Sequence, residues 1–181
     1  MNSPTRKGIA KMAHTLIGPF GVIIESGSGQ ILASGFTSNP DELVKMVPGL
    51  ELIGTDGQEV ELTSQAVDQF LASYFSSSPG DPLTSPGLRL DGTDFQKAVW
   101  SEICKIPFAS TASYKEVAHR VGKPNSHRAT GSACGANRIA LFIPCHRVVT
   151  SSGNMGEYRW GSELKARLLK YEKSIARWPP C

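Results

Sequence analysis

The chain has 181 residues, of which 40% are hydrophobic and 19% are charged, a composition typical of a globular protein rather than a disordered one. The net charge of +3 hides an asymmetry: residues 1–90 hold 5 Lys and Arg against 9 Asp and Glu (−4), and residues 91–181 hold 14 against 7 (+7). A basic half of this kind suits a polyanionic partner, although two solvated surfaces of opposite sign would give the same split.

Residues 1–10 are polar and basic, and no apolar segment of the kind found in a signal peptide follows them. No stretch approaches the roughly 18 apolar residues of a membrane span. We therefore expect an intracellular protein without a membrane partner, in the nucleus of a eukaryote or the cytoplasm of a prokaryote. The irregular spacing of the four cysteines fits reduced thiols better than a disulfide framework.

The first third of the chain predicts an antiparallel meander covered by a helix. Strands are expected over Thr15–Phe20, Gly21–Glu25 and Gln30–Phe36, with a hairpin-type turn at Gly27–Gly29. From Thr63 onward, apolar residues recur at intervals of three and four, which indicates an amphipathic helix.

Residues 76–87 are too rich in Ser, Pro and Gly for a helix or a strand. We interpret this segment as a linker between two domains. The first domain would comprise residues 1–90, including the linker, and the second residues 91–181.

Two capping boxes predict helices at the start of the second domain. Thr93–Gln96 opens a helix that should end near Pro107, and Ser113–Glu116 opens a helix that should end at Gly122. A final helix is expected to begin at Ser162.

Between these lies a third helix with unusually small residues, expected to run from an N-cap at Ser126 to about Gly135 and to complete a helix-turn-helix. Ala129, Gly131 and their neighbours leave one face almost without side chains, although glycine within a helix costs about 0.8–1.0 kcal/mol relative to alanine. The small face would serve either tight packing or entry into the DNA minor groove, which is about 6 Å wide. In the second case Arg128 would insert into the base stack.

The most informative segment is Ile143–Val148, Ile-Pro-Cys-His-Arg-Val. The apolar run before it predicts a strand that delivers Cys145 to a proline-fixed bend. A thiol attacks only as the thiolate, and cationic neighbours such as His146 and Arg147 can lower its pKa from about 8.5, which favours a nucleophile. A buried structural cysteine is the alternative; a zinc ligand is disfavoured because the chain has no closely spaced cysteine pair.

Several motifs together resemble the O6-alkylguanine-DNA alkyltransferases over roughly residues 92–174. The core of the resemblance is Ile143–Val148, followed by Ser152-Gly153-x-x-Gly156-x-Tyr158 and by a helix containing Leu168-Leu169-x-x-Glu172. Further matches lie upstream: Phe95, Gln96, Val99, Trp100, Ile106, Pro107, Ser113, Tyr114, Arg128, Ala129 and Asn137. Residues 1–90 carry no matching motif. The resemblance implies an α+β fold, with a ribonuclease H-like N-terminal domain and a mainly helical C-terminal domain that holds the helix-turn-helix.

The resemblance implies a single, irreversible transfer of a methyl or small alkyl group from O6 of guanine, and also from O4 of thymine, to Cys145. His146 would remove the thiol proton through a water, and Glu172 would hold the imidazole. Asn137 would tie this network to the preceding helix. Tyr114 would donate a proton to N3 of the departing guanine.

The implied partner is duplex DNA carrying O6-alkylguanine, bound through the minor groove largely without regard to sequence. Because Cys145 cannot reach a stacked base, the nucleotide must be flipped, and Arg128 would fill the gap. The implied DNA-binding residues are Arg128, Tyr114, Ala129, Gly131, Lys123 and Ser151.

The implied pocket uses the carbonyls of Val148 and Cys145 for the guanine amine, Tyr158 on the alkyl side and the amide of Arg159 towards O6. Met155 and Trp160 would complete it. Arg159-Trp160 puts bulk where some family members have Ser-Gly, so we expect large alkyl groups such as benzyl to react poorly.

The resemblance implies no cofactor and a monomer in solution. Some family members hold zinc in the N-terminal domain, but here no cysteine precedes Cys104 and His14 is the only histidine before it, so we expect no metal. Two other function classes stay open: a sensor that binds alkylated DNA without reacting, and a Cys-His hydrolase that turns over.

Overall fold

The computed structural model describes residues 6–54, 58–76 and 86–176, apart from the side chain of Glu59. Backbone contacts divide the chain into two units, Met1–Leu90 and Asp91–Cys181. The linker predicted over residues 76–87 lies mostly outside the described residues, as does the C-terminal Cys181.

The first unit is built on a four-stranded sheet with the strand order β3-β2-β1-β4. β1 and β2 are antiparallel, as are β2 and β3, whereas β4 runs parallel to β1. The antiparallel meander is therefore confirmed, and the parallel edge strand is an addition to it. The elements are β1 (Arg6–His14), β2 (Pro19–Glu25), β3 (Ile31–Gly35), α1 (Pro40–Val44), β4 (Leu50–Leu52) and α2 (Gln58–Tyr74).

The first predicted strand was misplaced by about nine residues. Thr15–Phe20 begins with the turn between β1 and β2, in which the amide of Thr15 donates to the carbonyl of Gly18 (3.0 Å) and that of Gly18 donates back (3.2 Å). The strand itself is Arg6–His14, whose lysines and small residues conceal the alternation that marks a strand. The turn at Gly27 and Gly29 is confirmed, and both glycines have positive φ angles of 83° and 65°.

Helix α2 begins at Gln58, five residues before the position where the apolar period becomes visible. Of the residues in this period, Val67, Phe70, Leu71 and Tyr74 are buried, whereas Ala66 and Phe75 are half-buried. The rings of Phe70 and Tyr74 stack with their centroids 6.1 Å apart. The hydroxyl of Thr63 donates to the carbonyl of Gly29 (2.7 Å), which ties the helix to the β2–β3 turn.

In the part of the second unit that the structure describes, residues 91–176, there are four α-helices and a short parallel pair of strands. Its elements are α3 (Asp94–Cys104), β5 (Ala112–Ser113), α4 (Tyr114–Arg120), α5 (His127–Ala136), the 3₁₀ turn Cys145–Arg147, β6 (Val148–Val149) and α6 (Ser162–Ala176). Strand β5 leads directly into α4, and β6 follows directly from the 3₁₀ turn. Their pairing, Ala112 with Val148 and Ser113 with Val149, therefore brings the start of α4 beside the cysteine turn.

Both predicted capping boxes are confirmed: Thr93 with Gln96 begins α3, and Ser113 with Glu116 begins α4. Ser126 stands at the N-cap position of α5, but its side chain makes no capping hydrogen bond.

Helix α5 is held against α3 by the indole of Trp100, which donates to the carbonyl of Ala133 (2.8 Å). Thr130 and Ala133 form the buried face of α5. Ala129 and Gly135, by contrast, are exposed. Packing therefore explains only part of the small-residue pattern, and a small face remains on the surface.

Ala109 adopts the left-handed conformation, with a φ angle of 61°. This conformation costs a non-glycine residue roughly 1–2 kcal/mol. We expect Ala109→Gly to raise the free energy of unfolding by about 1 kcal/mol, measured by urea denaturation. As a control, Ala98→Gly within α3 should lower it by about 0.8–1.0 kcal/mol. Equal losses in both variants would contradict the expectation.

Candidate active site and nucleic-acid interface

The backbone delivers Cys145 from a turn rather than from the predicted strand. The amide of Ile143 donates to the carbonyl of Ile139 (3.0 Å), and Leu141 has a φ angle of 68°. All five residues of the run are nonetheless buried, so burial alone produced the strand-like pattern. The side chain of Asn137 supplies backbone hydrogen bonds that a neighbouring strand would otherwise supply. Its Oδ1 accepts from the amide of Ile139 (2.9 Å), and its Nδ2 donates to the carbonyl of Ile143 (3.0 Å).

The same Asn137 Nδ2 donates to the Sγ of Cys145 at 3.1 Å. Burial raises the pKa of the Cys145 thiol above its ordinary value; the hydrogen bond from Asn137 and the charges of Lys165 and Arg159 oppose this rise only in part. The thiol is therefore protonated at rest, and its activation requires a base. The expectation that its sequence neighbours lower its pKa was wrong.

Beside the thiol, His146 and Glu172 form a fully buried pair, with Nε2 of the imidazole 2.7 Å from Oε1 of the carboxylate. Burial raises the pKa of Glu172, but the hydrogen bonds and charges of His146 and Arg147 outweigh this and lower it to about 2. Burial lowers the pKa of His146, against the opposing effect of Glu172. An ionised carboxylate only accepts, so Nε2 carries the proton and Nδ1 keeps the lone pair. The pair can thus act as an oriented base.

Arg147 contacts the Glu172 carboxylate rather than the thiol that it was expected to activate. Its Nε lies 3.1 Å from both oxygens of Glu172, its Nη2 donates to Oε1 (3.0 Å), and its Nη1 donates to the carbonyl of Ile106 (2.8 Å). The guanidinium carbon lies 5.6 Å from the ring centroid of Phe108. Arg147 therefore serves the carboxylate, a role that no spacing in the sequence indicated.

Lys165 is a second functional candidate that the sequence analysis missed. The residue is completely buried on α6, and its ammonium donates to the carbonyl of Val148 at 2.7 Å. Burial lowers the pKa of this ammonium, whereas the thiols of Cys145 and Cys134 raise it. The hydrophobic period of α6 would place an ordinary core residue there. The one argument that could have selected Lys165 from the sequence is that a nearby cation stabilises a thiolate.

A cavity of about 530 Å³ opens onto the thiol. Its lining includes five predicted residues: Tyr114, Gly131, Cys145, Tyr158 and Arg159. It also includes residues that the sequence analysis did not select: Cys134, Gly135, Gly156 and Glu157. Of the other predicted pocket residues, Val148 is buried, Trp160 is half-buried and Met155 is exposed, and none of the three lines the cavity.

Tyr114 and Gly131 also line a second, open groove of about 610 Å³. This groove contains the predicted Ser151 together with Lys115, Pro124, Asn125, His127 and Thr150. The remaining predicted DNA-binding residues, Lys123, Arg128 and Ala129, are exposed at or near the start of α5. The groove is therefore lined mainly by polar and cationic residues.

Tyr114 and Arg159 define two sides of the cavity. Burial raises the pKa of the Tyr114 phenol to about 12, so the hydroxyl keeps its proton at neutral pH. The Nη2 of Arg159 donates to the carbonyl of Gly135 at 2.5 Å, near the C-terminal end of α5. A cation is favourable at this end of a helix. The bond joins the loop before α6 to α5 across one side of the cavity.

Within the ranges 6–54, 58–76 and 86–176, no three His, Cys, Asp or Glu side chains gather as a metal site would require. No helix in these ranges is long and apolar enough to cross a membrane.

Replacing Asn137 by Ala should raise the pKa of the Cys145 thiol, because the bond from Nδ2 favours the charged form. The measurement is the pH dependence of iodoacetamide alkylation at Cys145, followed by peptide mass spectrometry. The exposed Asn154→Ala is the control and should leave the inflection in place. An inflection at the same pH in Asn137→Ala and the parent protein would refute this assignment.

Comparison with known proteins gives a consistent result. Residues 94–174 match the family described as 6-O-methylguanine DNA methyltransferase, DNA binding domain. The methylated-DNA–protein-cysteine methyltransferase of Methanosarcina barkeri is 40% identical over 86% of this chain and 98% of its own length. The regulatory protein Ada of Salmonella typhimurium is 47% identical over 61% of this chain, which spans 31% of that longer protein.

Solved structures agree over a larger part of the chain. The O6-methylguanine methyltransferase of Mycobacterium tuberculosis is similar with a TM-score of 0.73 and 32% identity, covering 96% of both chains. The same TM-score is found for the M. tuberculosis OGT in complex with DNA, at 31% identity over 92% of this chain and 93% of that one. The mixed α/β fold, with its small, largely antiparallel sheet and several helices, is that of these structures.

Proposed function

The chain belongs to the methylated-DNA–protein-cysteine methyltransferase family, and we propose that it repairs DNA by moving a methyl or small alkyl group from O6 of guanine to Cys145. O4 of thymine is proposed as a second source of the group. The observation that carries the proposal is the thiol itself: Sγ of Cys145 accepts from Asn137, borders a cavity and adjoins the buried His146–Glu172 pair.

The reaction begins with proton transfer, because the buried thiol is neutral at rest. His146 takes this proton through a bridging water on its Nδ1, while Nε2 stays bonded to Glu172. The thiolate then forms the S–C bond as the C–O6 bond breaks, and the bonding electrons remain on the guanine. Tyr114 gives its proton to N3 of the guanine and is reprotonated from His146, so the base leaves neutral.

The product is a thioether, which offers no ready leaving group to water. Each molecule therefore reacts once. No cofactor takes part, because the alkyl group comes from the DNA and the proton carriers are side chains.

DNA binding is assigned to the second unit, which carries the charge of +7 over residues 91–181. Helices α4 and α5 act as the helix-turn-helix, and the exposed small face of α5 enters the minor groove. Flipping the nucleotide costs a few kcal/mol, and Arg128 offsets part of this by filling the vacated stack. The protein acts as a monomer, and its first unit corresponds to the ribonuclease H-like domain of the family.

A label-transfer experiment tests the proposal. The protein is incubated with excess duplex that carries a labelled methyl group on O6 of one guanine, then digested and mapped. One label per chain on the Cys145 peptide is expected, and Cys145→Ala should bind DNA without accepting label. Absence of label would instead indicate a sensor, and release of label beyond one equivalent would indicate a hydrolase.

Arg128→Ala should slow the transfer about tenfold or more while leaving the Cys145 thiol equally reactive towards iodoacetamide, since only flipping is impaired. The measurement is the single-turnover rate on methylated duplex. Lys45→Ala, which removes one charge in the first unit, is the matched control. An unchanged rate in Arg128→Ala would remove this residue from the flipping step.

The side of the cavity closed by Arg159 and Gly135 should disfavour large alkyl groups. We expect O6-benzylguanine in duplex DNA to react at least about tenfold more slowly than O6-methylguanine, since a poorly fitting group loses orientation. The double variant Arg159→Ser/Trp160→Gly should narrow this ratio. Equal methyl and benzyl rates in the parent protein would contradict the expectation.

A further inference from the structure

The Glu172 carboxylate alone would be enough to orient His146 as a base. The buried guanidinium of Arg147, which is bonded to this carboxylate, therefore needs a separate explanation. We infer that Arg147 is a positioning residue for the transfer: its guanidinium fixes the Glu172 carboxylate and offsets its charge, so that His146 meets the thiol as a neutral base. The inference rests on the proposed function for its kinetic consequence, but not for its effect on the imidazole.

The first argument is geometric. Glu172 receives the fork of Arg147 through Nε and Nη2, and its Oε2 also accepts from the amide of Ala109 at 2.9 Å. These donors approach from two segments and leave the carboxylate one orientation. In that orientation Oε1 lies 2.7 Å from Nε2 of His146. The guanidinium thus determines where the imidazole ring lies.

Arg147 is itself held on three sides. Its Nη1 donates to the carbonyl of Ile106, Phe108 lies against the guanidinium face, and its other nitrogens are bonded to Glu172. The loop from Ile106 to Ala109 therefore contacts both members of the ion pair. The left-handed conformation of Ala109 directs its amide to the carboxylate. A lysine could supply the charge of Arg147 but not this fork.

The second argument concerns charge. A lone buried carboxylate would favour the imidazolium form of His146, which cannot take a proton from the thiol. The charged or titratable groups facing His146 are Glu172 and Lys165 from α6, Cys145 and Arg147 from the 3₁₀ turn, and Tyr158 from the loop before α6. After burial, which lowers the pKa of His146 most, Glu172 raises it and the cations Arg147 and Lys165 lower it. Of these cations, Arg147 contacts Glu172 directly, with Nη2 3.0 Å from Oε1.

Two substitutions separate the roles of charge and shape. Arg147→Met removes both the charge and the fork, whereas Arg147→Lys keeps the charge and loses the fork. Lys170→Met, an exposed change on α6, is the control. Two quantities are measured across pH: the titration of the His146 ring by NMR in the free protein, and the single-turnover rate on methylated duplex.

In Arg147→Met we expect the pKa of His146 to rise, so that the acidic limb of the rate profile moves to higher pH. The rate should fall roughly threefold to tenfold more at pH 6 than at pH 8. In Arg147→Lys the titration should stay near that of the parent protein, while the rate falls by a similar factor at every pH. An unmoved His146 titration in Arg147→Met, with a uniform loss of rate, would overturn the inference.

Arg147→Met leaves Glu172 as a buried charge without its cation, and this variant risks failing to fold. The double variant Arg147→Met/Glu172→Gln removes both charges and serves in that case. Its His146 should titrate at lower pH than the parent imidazole, and a higher value would contradict the charge argument. If no variant, nor the parent protein, transfers a methyl group, the proposed function fails while the NMR titrations still decide the role of Arg147.

Discussion

The second unit depends on one buried carboxylate. Glu172 accepts from an imidazole, a guanidinium and a backbone amide, all away from water. These donors come from the 3₁₀ turn and from the loop after α3, while Glu172 itself belongs to α6. Removing one partner from such a cluster costs about 3–5 kcal/mol, because a buried charge is then left uncompensated. The stability of the second unit and the proposed chemistry therefore depend on the same hydrogen bonds and ion pairs.

A second constraint is the use of Asn137 by three neighbouring features. Its backbone amide caps the C-terminal end of α5, and its side-chain amide closes the turn over residues 139–143 and donates to the sulfur of Cys145. The helix proposed to bind DNA therefore ends at the residue that donates a hydrogen bond to Cys145, the proposed alkyl acceptor. Trp100 extends this connection to α3 through the carbonyl of Ala133.

The sequence predicted features governed by local chemistry. Both capping boxes, the glycine turn and the amphipathic α2 follow from bonds or periods within a few residues. It misplaced β1, whose lysines and small residues hide the period of two, and it assigned a strand to the buried run before Cys145. β1 is defined by its pairing with β2 and β4, and the buried run is held in a turn by the side chain of Asn137. Pairing, burial and side-chain hydrogen bonds therefore override the local pattern.

The residues of the candidate site also fall into two groups. Cys145 and His146 were predicted from the motif Ile143–Val148 itself. Glu172 was predicted only from the family resemblance, because its position on α6 predicts a solvated side chain. Arg147 and Lys165 were misjudged or missed, since the sequence shows that they are cationic but not which acceptor each one reaches. The acceptors, Glu172 and the carbonyl of Val148, became evident only from the tertiary structure.

The exposed small face of α5 has a consequence for how damage is found. Alanine and glycine carry no side-chain donors or acceptors for base edges, so the part of the helix surface that presents them cannot distinguish one base pair from another. Under the proposed function, damage would then be recognised after a nucleotide has left the stack, inside the cavity beside Cys145. Under the proposed function the protein would test guanines one at a time by extrusion, and most encounters would end without reaction. The rate at which the protein searches DNA would then depend on how quickly the cavity releases an undamaged guanine.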